Sequence, residues 1–348
     1  MSKTLQDYAT LINDTIQSNE INHYITTDNM CQNLGGIDTF KNINIPQGKV
    51  RSFQKDDVLL SNIRLYFRKV YRAKQKGGCS SDVLVLVFRA KHIDSATLFA
   101  ILSSQIFTDY ACSGSQGSKM PRGNKTHMMD FKIPTINFTI AKIFNSIQNK
   151  IENNHKINEL LHTLAYKIYE YYFKYKPKNA KLEQIIIENP KSSIMVKNAQ
   201  KTQDKYPFFT SGDNTLSYPK AIIDGRNCFL NTGGNAGIKF YVGKASYSTD
   251  TWCICANEFS DYLYLLLSSI KNHINQSFFQ GTSLKHLQKN LLKKYPIYMP
   301  STHEIKKFNQ IMMPLLTLIS INTRTSKKLE QIRDFLLPLL LKQQVKPK

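Results

Sequence analysis

The sequence predicts an α+β protein in which two repeated mixed α/β domains are related by pseudo-two-fold symmetry. Two long antiparallel coiled-coil helices are expected to separate these domains. Three observations predict this fold: two long periodic apolar seams, strand-like runs of branched apolar residues before each seam, and five short matches that recur in the same order in both halves.

Residues 138–173 predict the first long helix. Apolar residues recur there at alternating steps of four and three, which is the seam of a coiled coil. At about 1.5 Å per residue the helix would be roughly 54 Å long, longer than a small domain is wide. The predicted seam consists of Ile140, Phe144, Ile147, Ile151, Asn154, Asn158, Leu161, Ala165, Ile168 and Tyr172.

The same pattern returns near the end of the chain and places Asn322 at the position that Asn158 has in the first seam. Paired asparagines in a coiled-coil seam can fix the register of two helices. We therefore predict that Asn158 and Asn322 set the register of the helix pair. The second predicted seam consists of Phe308, Ile311, Leu315, Leu318, Asn322, Thr325, Leu329, Ile332, Leu336 and Leu339.

The ends of the second helix are less regular than its seam. Ser301 and Glu304 have the spacing of a capping box and predict that the helix starts there. Pro314 and Pro338 lie inside the apolar pattern, and each predicts a kink or a boundary. The second helix is therefore expected to be less straight than the first.

Each predicted helix follows a globular stretch. Branched apolar runs predict strands at residues 57–63 and 81–88 in the first half and at 227–234, 238–243 and 249–256 in the second. Helical spacing predicts helices at 93–111, capped at Asp94 or Ser95, and at 260–274. Thr4–Ile16 is compatible with a short helix, and residues 174–184 with a solvated connector.

An internal repeat connects the two globular stretches. Five matches keep their order and a nearly constant separation along the chain, so the chain describes one unit twice. The matches are DVLLSN at 57 with NCFLNT at 227, GCSSDVLVL at 78 with SYSTDTWCI at 246, LFAILSSQ at 98 with LYLLLSSI at 263, SQGSKM at 115 with FQGTSL at 279, and KIPT at 132 with YMPS at 298.

The composition restricts the partners and the compartment. The net charge is +22, from 47 Lys+Arg against 25 Asp+Glu, which favours a polyanionic partner. No apolar run approaches the length of a membrane span, and no secretory apolar segment opens the sequence, so no membrane partner is expected. Six scattered cysteines without a metal-site spacing predict reduced thiols in a cytoplasm.

Two repeated binding domains suit duplex DNA, because the backbone of the duplex has its own two-fold axes. Arg and Lys neutralise phosphates and pair with guanine, whereas Asn and Gln pair with adenine. Polar, glycine-containing loops in both halves and a basic, aromatic stretch in the first half offer these side chains. The predicted DNA-binding residues are Arg64, Arg68, Lys69, Arg72, Lys119, Arg122, Asn124, Lys125, Lys285, His286, Gln288 and Lys289.

The sequence lacks the common catalytic signatures. It contains no phosphate-binding GxxxxGK[ST] loop, no GxGxxG opening a βα unit and no zinc-protease or nucleophile-elbow motif. Asn189-Pro190-Lys191 is not the Asn-Pro-Pro-aromatic motif of adenine methyltransferases. We therefore predict no catalytic residue, no metal site and no cofactor in this chain.

In the order and content of its motifs, the chain resembles the DNA-specificity subunit of type I restriction–modification systems. The resemblance covers about residues 20–345, and the order of its motifs is more specific than any one of them. It is carried by YITTDNM at 24, GKVRSFQKDDVLLSNIRLYFRKVY at 48, SGSQGSKMPRGNKTHMMDFKIP at 113, KINELLHTLAYKIYEYYF at 156, SGDNTLSY at 211, FLNTGGNAGIKFYVGKASYSTDTW at 229 and FFQGTSLKHLQKN at 278.

The resemblance implies a domain plan. Residues 1–137 would form the first target-recognition domain, 138–178 the central conserved long helix, 179–300 the second target-recognition domain and 301–345 the distal conserved long helix. Each recognition domain would read half of a bipartite DNA site. The segment before Tyr24 is short for the family, so the first domain is expected to lack an opening strand.

The resemblance also implies partners. Two methyltransferase subunits, which methylate adenine with S-adenosylmethionine, would dock on the conserved helices, and motor-nuclease restriction subunits would complete the complex. S-adenosylmethionine, ATP and Mg²⁺ are therefore expected on the partner subunits. Two alternatives remain open: a basic two-domain scaffold that binds RNA or protein through its coiled coil, and an enzyme with an unrecognised active site.

Overall fold

The computed structural model of the protein describes residues 3–38, 41–88, 93–133, 136–199, 205–212 and 214–341. The chain forms two compact units: unit 1 comprises residues 1–153 and 328–348, and unit 2 comprises 154–327. Both units combine sheets with helices, which confirms the predicted mixed α/β fold class. Part of the KIPT match, at 134–135, and the last predicted helical residues, 342–345, lie outside the described ranges.

Unit 1 contains short strands, short helices and the start of the first long helix. The helices are α1 (Leu5–Tyr8), α2 (Ser95–Leu102), α3 (Gln105–Ser113), α4 (Lys125–Met129) and the long α5 (Phe138–Tyr169). The strands are β1 (Ala9–Ile12), β2 (Thr15–Gln17), β3 (Tyr24–Ile25), β4 (Lys49–Phe53), β5 (Val58–Ser61), β6 (Val70–Arg72), β7 (Gly77–Cys79) and β8 (Val83–Phe88).

Unit 2 also consists of short strands, short helices and part of the long helices. Its strands are β9 (Ala180–Lys181), β10 (Ile187–Glu188), β11 (Tyr206–Phe209), β12 (Leu216–Tyr218), β13 (Arg226–Asn231), β14 (Ile238–Val242), β15 (Ser246–Tyr247), β16 (Thr251–Cys255), β17 (Phe279–Gln280), β18 (His286–Leu287) and β19 (Pro296–Ile297). Its helices are α6 (Ser260–Ser269), α7 (Lys271–Ser277), α8 (Lys289–Lys293) and the long α9 (Thr302–Leu340).

The two units share one sheet topology. The strand order is β1-β8-β5-β6 in unit 1 and β10-β16-β13-β14 in unit 2, with every pair antiparallel. In both sheets the second strand in the order is followed along the chain by a helix pair, α2–α3 or α6–α7. The internal repeat predicted from five short matches is therefore a repeat of topology.

Each core forms between this sheet, its helix pair and the long helices. In unit 1, Leu60 of β5, Leu84 of β8 and Phe99 of α2 pack with Phe144 of α5. In unit 2 the corresponding core joins Leu230 of β13, Trp252 of β16 and Leu263 of α6 with Ala165 of α5 and Phe308 of α9. Branched and aromatic residues fill these strands because they pack well on a buried pleated surface.

The segment before Tyr24 departs from expectation. Within the stretch expected to be a helix, Thr4–Ile16, the α-helix covers Leu5–Tyr8, and the strands β1 and β2 follow it. β1 pairs with β8 from Ala9↔Phe88 to Ile12↔Val85, the place that β10 takes beside β16 in unit 2. The expectation that unit 1 lacks an opening strand is therefore wrong. Burial of Ala9 against β8 outweighed the weak local helical pattern.

The seam of the second long helix was predicted one residue off over most of its length. Phe308 is buried as expected, but Ile311, Leu318 and Ile332 are 43%, 42% and 48% exposed. Apolar residues on α9 form two adjacent rows, and spacing alone selected the outer row. The buried row consists of Ile305, Phe308, Met312, Leu316, Ile319, Ser326, Arg333, Leu337 and Leu340.

The ends of the long helices follow their local sequence. The capping box is confirmed: the Ser301 backbone N–H donates to Glu304 Oε2 at 2.9 Å, and the Glu304 N–H donates to Ser301 Oγ at 3.4 Å. Neither proline ends α9, which is helical from Thr302 to Leu340. The first helix, α5, is followed directly by a π-helical segment, Glu170–Lys174.

Candidate nucleic-acid interface

A hairpin after α3 carries the basic loop of unit 1. Gln116 and Arg122 exchange two backbone hydrogen bonds of 2.9 and 2.8 Å and enclose a five-residue turn, 117–121. The N–H of Gly123 donates to the Asn62 carbonyl at 3.0 Å, and the N–H of Arg64 donates to the Pro121 carbonyl at 2.9 Å. The hairpin is thereby attached to the β5–β6 connection.

Unit 2 builds the same hairpin. β17 pairs with β18 through Phe279↔Leu287 and Gln280↔His286, which again leaves a five-residue turn, 281–285. The Leu287 N–H donates to the Thr232 carbonyl at 3.0 Å, and the Gly234 N–H donates to the Lys285 carbonyl at 2.9 Å. These bonds attach the hairpin to the β13–β14 connection, as in unit 1.

The correspondence aligns most of the predicted loop residues. The pair Gln116↔Arg122 occupies the same place in unit 1 as the pair Gln280↔His286 in unit 2, so Arg122 aligns with His286. Two further predicted pairs follow at the same offset: Asn124 with Gln288, and Lys125 with Lys289. The tertiary structure thus brings one short set of polar side chains together at the same place in each unit.

The unit 1 hairpin presents its predicted side chains to solvent. Lys119, Arg122, Asn124 and Lys125 are all exposed. Arg122 Nη1 lies 2.7 Å from Asp82 Oδ1, and the arginine side chain remains 60% exposed. Asn124 caps α4, because its Oδ1 accepts from the His127 N–H at 3.1 Å. A DNA phosphate or base edge can reach these groups without any rearrangement of the core.

Arg64 lies where the two loops meet. Its backbone is left-handed, with φ of 50°, and its Nη2 donates to the Lys119 carbonyl at 3.2 Å. The side chain is half-buried, and Nε has no hydrogen-bond partner. Arg64 therefore braces the hairpin through its hydrogen bond to the Lys119 carbonyl.

The other basic residues of this stretch have internal partners. Arg68 Nη2 donates to the Ser103 carbonyl at 2.8 Å, and burial lowers its pKa. Arg72 donates to Asp56 at 2.8 Å, to Ser95 Oγ at 3.0 Å and to Asn145 Oδ1 at 3.1 Å.

Lys69 also has an internal partner. Its ammonium group donates to the Thr27 carbonyl, and burial lowers its pKa. The contacts of Arg68, Lys69 and Arg72 account for all three side chains without DNA, so for them a role in DNA binding stays a prediction.

In unit 2 the predicted residues divide in the same manner. Lys285 and His286 are exposed on the hairpin. Gln288 is half-buried, and its Nε2 donates to the His286 carbonyl at 3.4 Å. Lys289 lies over the Trp252 ring, 5.2 Å from the ring centroid, and burial lowers its pKa.

The two predicted register residues meet inside unit 2. Asn322 Nδ2 donates to Asn158 Oδ1 at 3.0 Å, and Asn158 Nδ2 donates to Thr323 Oγ1 at 3.2 Å. One turn earlier on α5, Asn154 donates to Ser326 Oγ at 3.1 Å. The falling numbers on α9 against rising numbers on α5 show that the helices run antiparallel here.

Sequence reasoning missed the apolar tips of the hairpins. Met120 is 54% exposed and Leu284 is 57% exposed, and both occupy the fourth position of their turn. The match between SQGSKM and FQGTSL contained both residues. Only the exposure separates them from ordinary core residues, and exposure cannot be read from a short motif.

No group of three or more His, Cys, Asp or Glu in the described ranges is arranged to hold a metal ion. Likewise, none of the helices in those ranges is long and apolar enough to cross a membrane. Fold and hairpins together define a class: a repeated α/β protein that presents a polar hairpin at the same position in each unit.

Comparison with known proteins narrows this class. Residues 178–331 match the family model described as "Type I restriction modification DNA specificity domain". This stretch of the chain is therefore a domain of that family, and the resemblance predicted from the sequence is confirmed. No curated protein matches the chain.

The fold agrees with this family. The type I restriction–modification S subunit from M. genitalium matches with a TM-score of 0.65 over 99% of this chain and 96% of that chain. At 14% identity, this likeness concerns the fold. The HsdS subunit from Thermoanaerobacter tengcongensis matches over 98% of this chain and 96% of that one, at 13% identity and a TM-score of 0.38.

Proposed function

We propose that this protein is the sequence-specific DNA-binding subunit of a type I restriction–modification complex, and that each unit reads one half of a bipartite site. The observation that carries the proposal is the repeated hairpin, held to its neighbouring loop by the same pair of backbone hydrogen bonds in both units. The family match over 178–331 gives independent support.

The chemistry of the hairpins fits duplex DNA. Arg and Lys side chains neutralise phosphates and release counterions, and Arg can pair with guanine in the major groove. Lys119, Arg122 and Lys285 are exposed and can make such contacts without losing a core interaction. We therefore rank these residues, with Asn124, Lys125 and His286, above Arg68 and Arg72 as DNA contacts.

The long helices are proposed to set the unread spacer between the half-sites. A helix advances about 1.5 Å per residue, so its length converts directly into distance. The hydrogen-bonded pair Asn158–Asn322 in unit 2 offers a way to fix the register. In unit 1, Arg333 Nη1 donates to Gln148 Oε1 at 3.0 Å between the same two helices.

The helices also offer a surface for partner subunits. In unit 2 one side of the helix pair packs against its own domain, through His162 with Tyr264 and Ser320 with Val242. Helical periodicity places two rows of apolar residues on the opposite side. These residues are 41–57% exposed and are Ile157, Leu160 and Leu164 on α5 and Ile311, Leu318 and Ile321 on α9.

We propose that methyltransferase subunits dock on these rows and that restriction and motor subunits join the complex. Exposed apolar rows of this kind are typical of protein interfaces. In this arrangement the chain itself performs no catalysis. S-adenosylmethionine, ATP and Mg²⁺ would act on the partners, in the cytoplasm of a prokaryotic cell.

The decisive test maps N6-methyladenine across a genome with this subunit present and absent, together with its methyltransferase. A bipartite motif that depends on the subunit is expected. Replacing residues 1–137 with the equivalent domain of a relative should then change one half of the motif only. Change in both halves would contradict the assignment of one unit to each half.

A gel-shift experiment separates this function from a scaffold role. The subunit with its methyltransferase should bind duplex DNA that contains the mapped motif more tightly than a shuffled duplex. Tighter binding to RNA than to either duplex would favour the scaffold instead.

The spacer role has its own test. Insertion of about four residues, one helical turn, within 145–160 should alter the gap between the half-sites and leave both half-sites unchanged. An unaltered gap would show that the helices do not measure the distance. An insertion of the same length at the exposed connector 176–178 serves as the control, because it lies outside α5.

A further inference from the structure

The two hairpins share a feature that their charges do not explain. Met120 and Leu284 lie at the fourth position of the two five-residue turns and are 54% and 57% exposed. A single exposed apolar side chain is ordinary on a protein surface. Two at equivalent positions of an internal repeat, each at the tip of a polar hairpin, indicate a shared use.

The backbone holds each tip in place. Both turns begin with a glycine at positive φ, 98° at Gly117 and 141° at Gly281, a conformation that glycine adopts readily. A Cβ at Gly281 would lie 2.4 Å from the Leu284 carbonyl oxygen, so this turn requires glycine. Both hairpins are tied to the neighbouring loop, which limits how far Met120 and Leu284 can retreat.

The neighbours of each tip are basic residues. Lys119 precedes Met120, and Arg122 follows shortly after it, while Lys285 and His286 follow Leu284 directly. All four of these polar residues are exposed. A DNA phosphate backbone that binds the lysine and arginine side chains would place the apolar side chain of the tip against the adjacent groove of the duplex.

We propose that Met120 and Leu284 are equivalent base-contacting residues, one for each half of the DNA site. Each would bury its side chain against apolar base surface, either a thymine methyl group or the face of a partly unstacked base. The inference rests on the proposed function and deepens it, because it names the apolar contacts by which each unit selects its half-site.

The test uses the subunit assembled with its methyltransferase and a duplex that carries the mapped site. Burial of one such side chain stabilises a complex enough to change its affinity roughly tenfold. Met120→Ala is therefore expected to lower kcat/KM for methylation roughly tenfold and to relax selection at one or two base pairs of one half-site. Leu284→Ala should do the same at the other half-site only.

Matched controls exclude a general loss of apolar surface. Ile106→Ala in unit 1 and Ile222→Ala in unit 2 remove side chains that are 44% and 41% exposed and lie outside the hairpins. Both should leave the rate and the motif unchanged. Met120→Leu keeps the apolar volume and should retain at least half of the wild-type rate.

Two modified duplexes distinguish the apolar surfaces. If a thymine methyl is the partner, replacing that thymine with uracil should slow the wild type and have no effect on the alanine variant. If an unstacked base is the partner, a mismatch at that step should restore the rate of the alanine variant. Either result supports the base contact.

Failure of the base contacts and failure of the proposed function give different results. If the wild type methylates a bipartite site and both alanine variants keep its rate and motif, the inference is overturned while the proposed function stands. If the wild-type complex shows no subunit-dependent motif, the proposed function itself fails.

Discussion

The two units anchor the same edge of their sheet with oppositely arranged charges. In unit 1 the residue at 56 is Asp56, and its carboxylate pairs with Arg72 of β6 at 2.8 Å. In unit 2 the residue at the aligned position is Arg226, which pairs with Asp261 of α6 at 2.6 Å. The aligned position thus carries opposite charges in the two units, and its partner lies on β6 in unit 1 but on α6 in unit 2.

The two ion pairs also differ in burial, and this difference matters more for stability than the sign of the charge at the aligned position. The Arg72 and Asp56 side chains are 27% and 41% exposed, whereas those of Arg226 and Asp261 are 16% and 1% exposed. Water already solvates the unit 1 pair, so the pair contributes little there. In unit 2 each charge depends on its partner, because the carboxylate is cut off from solvent. Equivalent positions can therefore carry very different energies.

We expect the greatest loss of stability when the buried ion pair of unit 2 is broken. Arg226→Met leaves the Asp261 carboxylate buried without its cation and should lower the free energy of unfolding of unit 2 by roughly 3–5 kcal/mol. Urea unfolding followed by the fluorescence of Trp252 measures this directly, because Trp252 is the single tryptophan and lies in unit 2.

Breaking the corresponding ion pair of unit 1 should cost much less stability. Asp56→Asn, at the position aligned with Arg226, removes the anionic partner of Arg72 and should cost only about 1 kcal/mol, since the Asp56 side chain is 41% exposed. Hydrogen exchange of the β5 and β8 amides reports the stability of unit 1. Equal costs for the two substitutions would contradict the importance assigned to burial.

The helix pair provides the second comparison. In unit 1, Gln148 accepts from Arg333, and both side chains are almost fully buried at 1% and 2% exposure. Gln148→Ala should destabilise unit 1 by roughly 1.5–3 kcal/mol, because a buried charged donor loses its acceptor. Asn158→Ala in unit 2 should cost about 1 kcal/mol, since the Asn158–Asn322 bond joins neutral groups.

A double-mutant cycle tests whether the asparagines act together. Asn158→Ala and Asn322→Ala should be non-additive by about 0.5 kcal/mol or more, as expected for two directly bonded side chains. Hydrogen exchange of the α5 and α9 amides near Asn158 and Asn322 measures the loss of stability in each variant. Additive costs would mean that the two asparagines contribute independently and do not set the register as a pair.

The third comparison concerns the aligned residues Arg122 and His286. Arg122→Ala should weaken methylation of the half-site read by unit 1 by roughly 1–3 kcal/mol in transition-state free energy, and leave the other half-site unaffected. His286→Ala should affect only the half-site read by unit 2. Lys150→Ala, which removes an exposed cation from α5, is the control, and its motif should be unchanged.

The starts of the two long helices allow a comparison that depends on pH. Asn137 caps α5 by accepting from the Ile140 N–H at 3.1 Å, whereas Ser301 and Glu304 cap α9. The hydrogen bond from the Ser301 backbone N–H, followed by the hydrogen bond from the Tyr298 hydroxyl, lowers the pKa of Glu304 from 4.5 to about 2. Glu304→Gln should therefore lower stability at neutral pH by about 1 kcal/mol.

The sign of the pH effect follows from the depressed pKa. The contribution of Glu304 is complete above its unfolded pKa of 4.5 and is lost as the pH falls through about 2. The difference in unfolding free energy between wild type and Glu304→Gln should shrink over that interval. The cost of Asn137→Ala should stay constant there, because an amide cap does not titrate.

Much of the fold could be predicted because its signals are local. β5, β8, β13, β14 and β16 lie within or beside the branched apolar runs, and the capping box at Ser301 needs only four consecutive residues. The predicted helix over 93–111 is two helices, because Ser104 accepts from the Phe107 N–H at 3.2 Å and starts α3. The seam of α9 was misplaced because two adjacent rows on it are apolar.

The candidate interface was predicted only in part, because residue type does not show which side chains are held by contacts with distant residues. Residue type identified Arg122 and Lys285 as suitable for DNA, and both are exposed. Arg68 has the same residue type as Arg122, yet its guanidinium is committed to the Ser103 carbonyl, far away in the chain. No spacing rule indicates such a contact, because it depends on how the β5–β6 connection and α2 come together.

The sequence alone was enough to predict the repeat, the two long helices, the positive charge and the polar loops in each half. These properties depend on composition and on periodicities of a few residues. The three-dimensional structure was needed to show which apolar row of α9 is buried, which arginines are held by the core, and that Met120 and Leu284 reach solvent on matching hairpins. Each of these depends on contacts between residues far apart in the chain, where burial and long-range hydrogen bonds outweigh local preference.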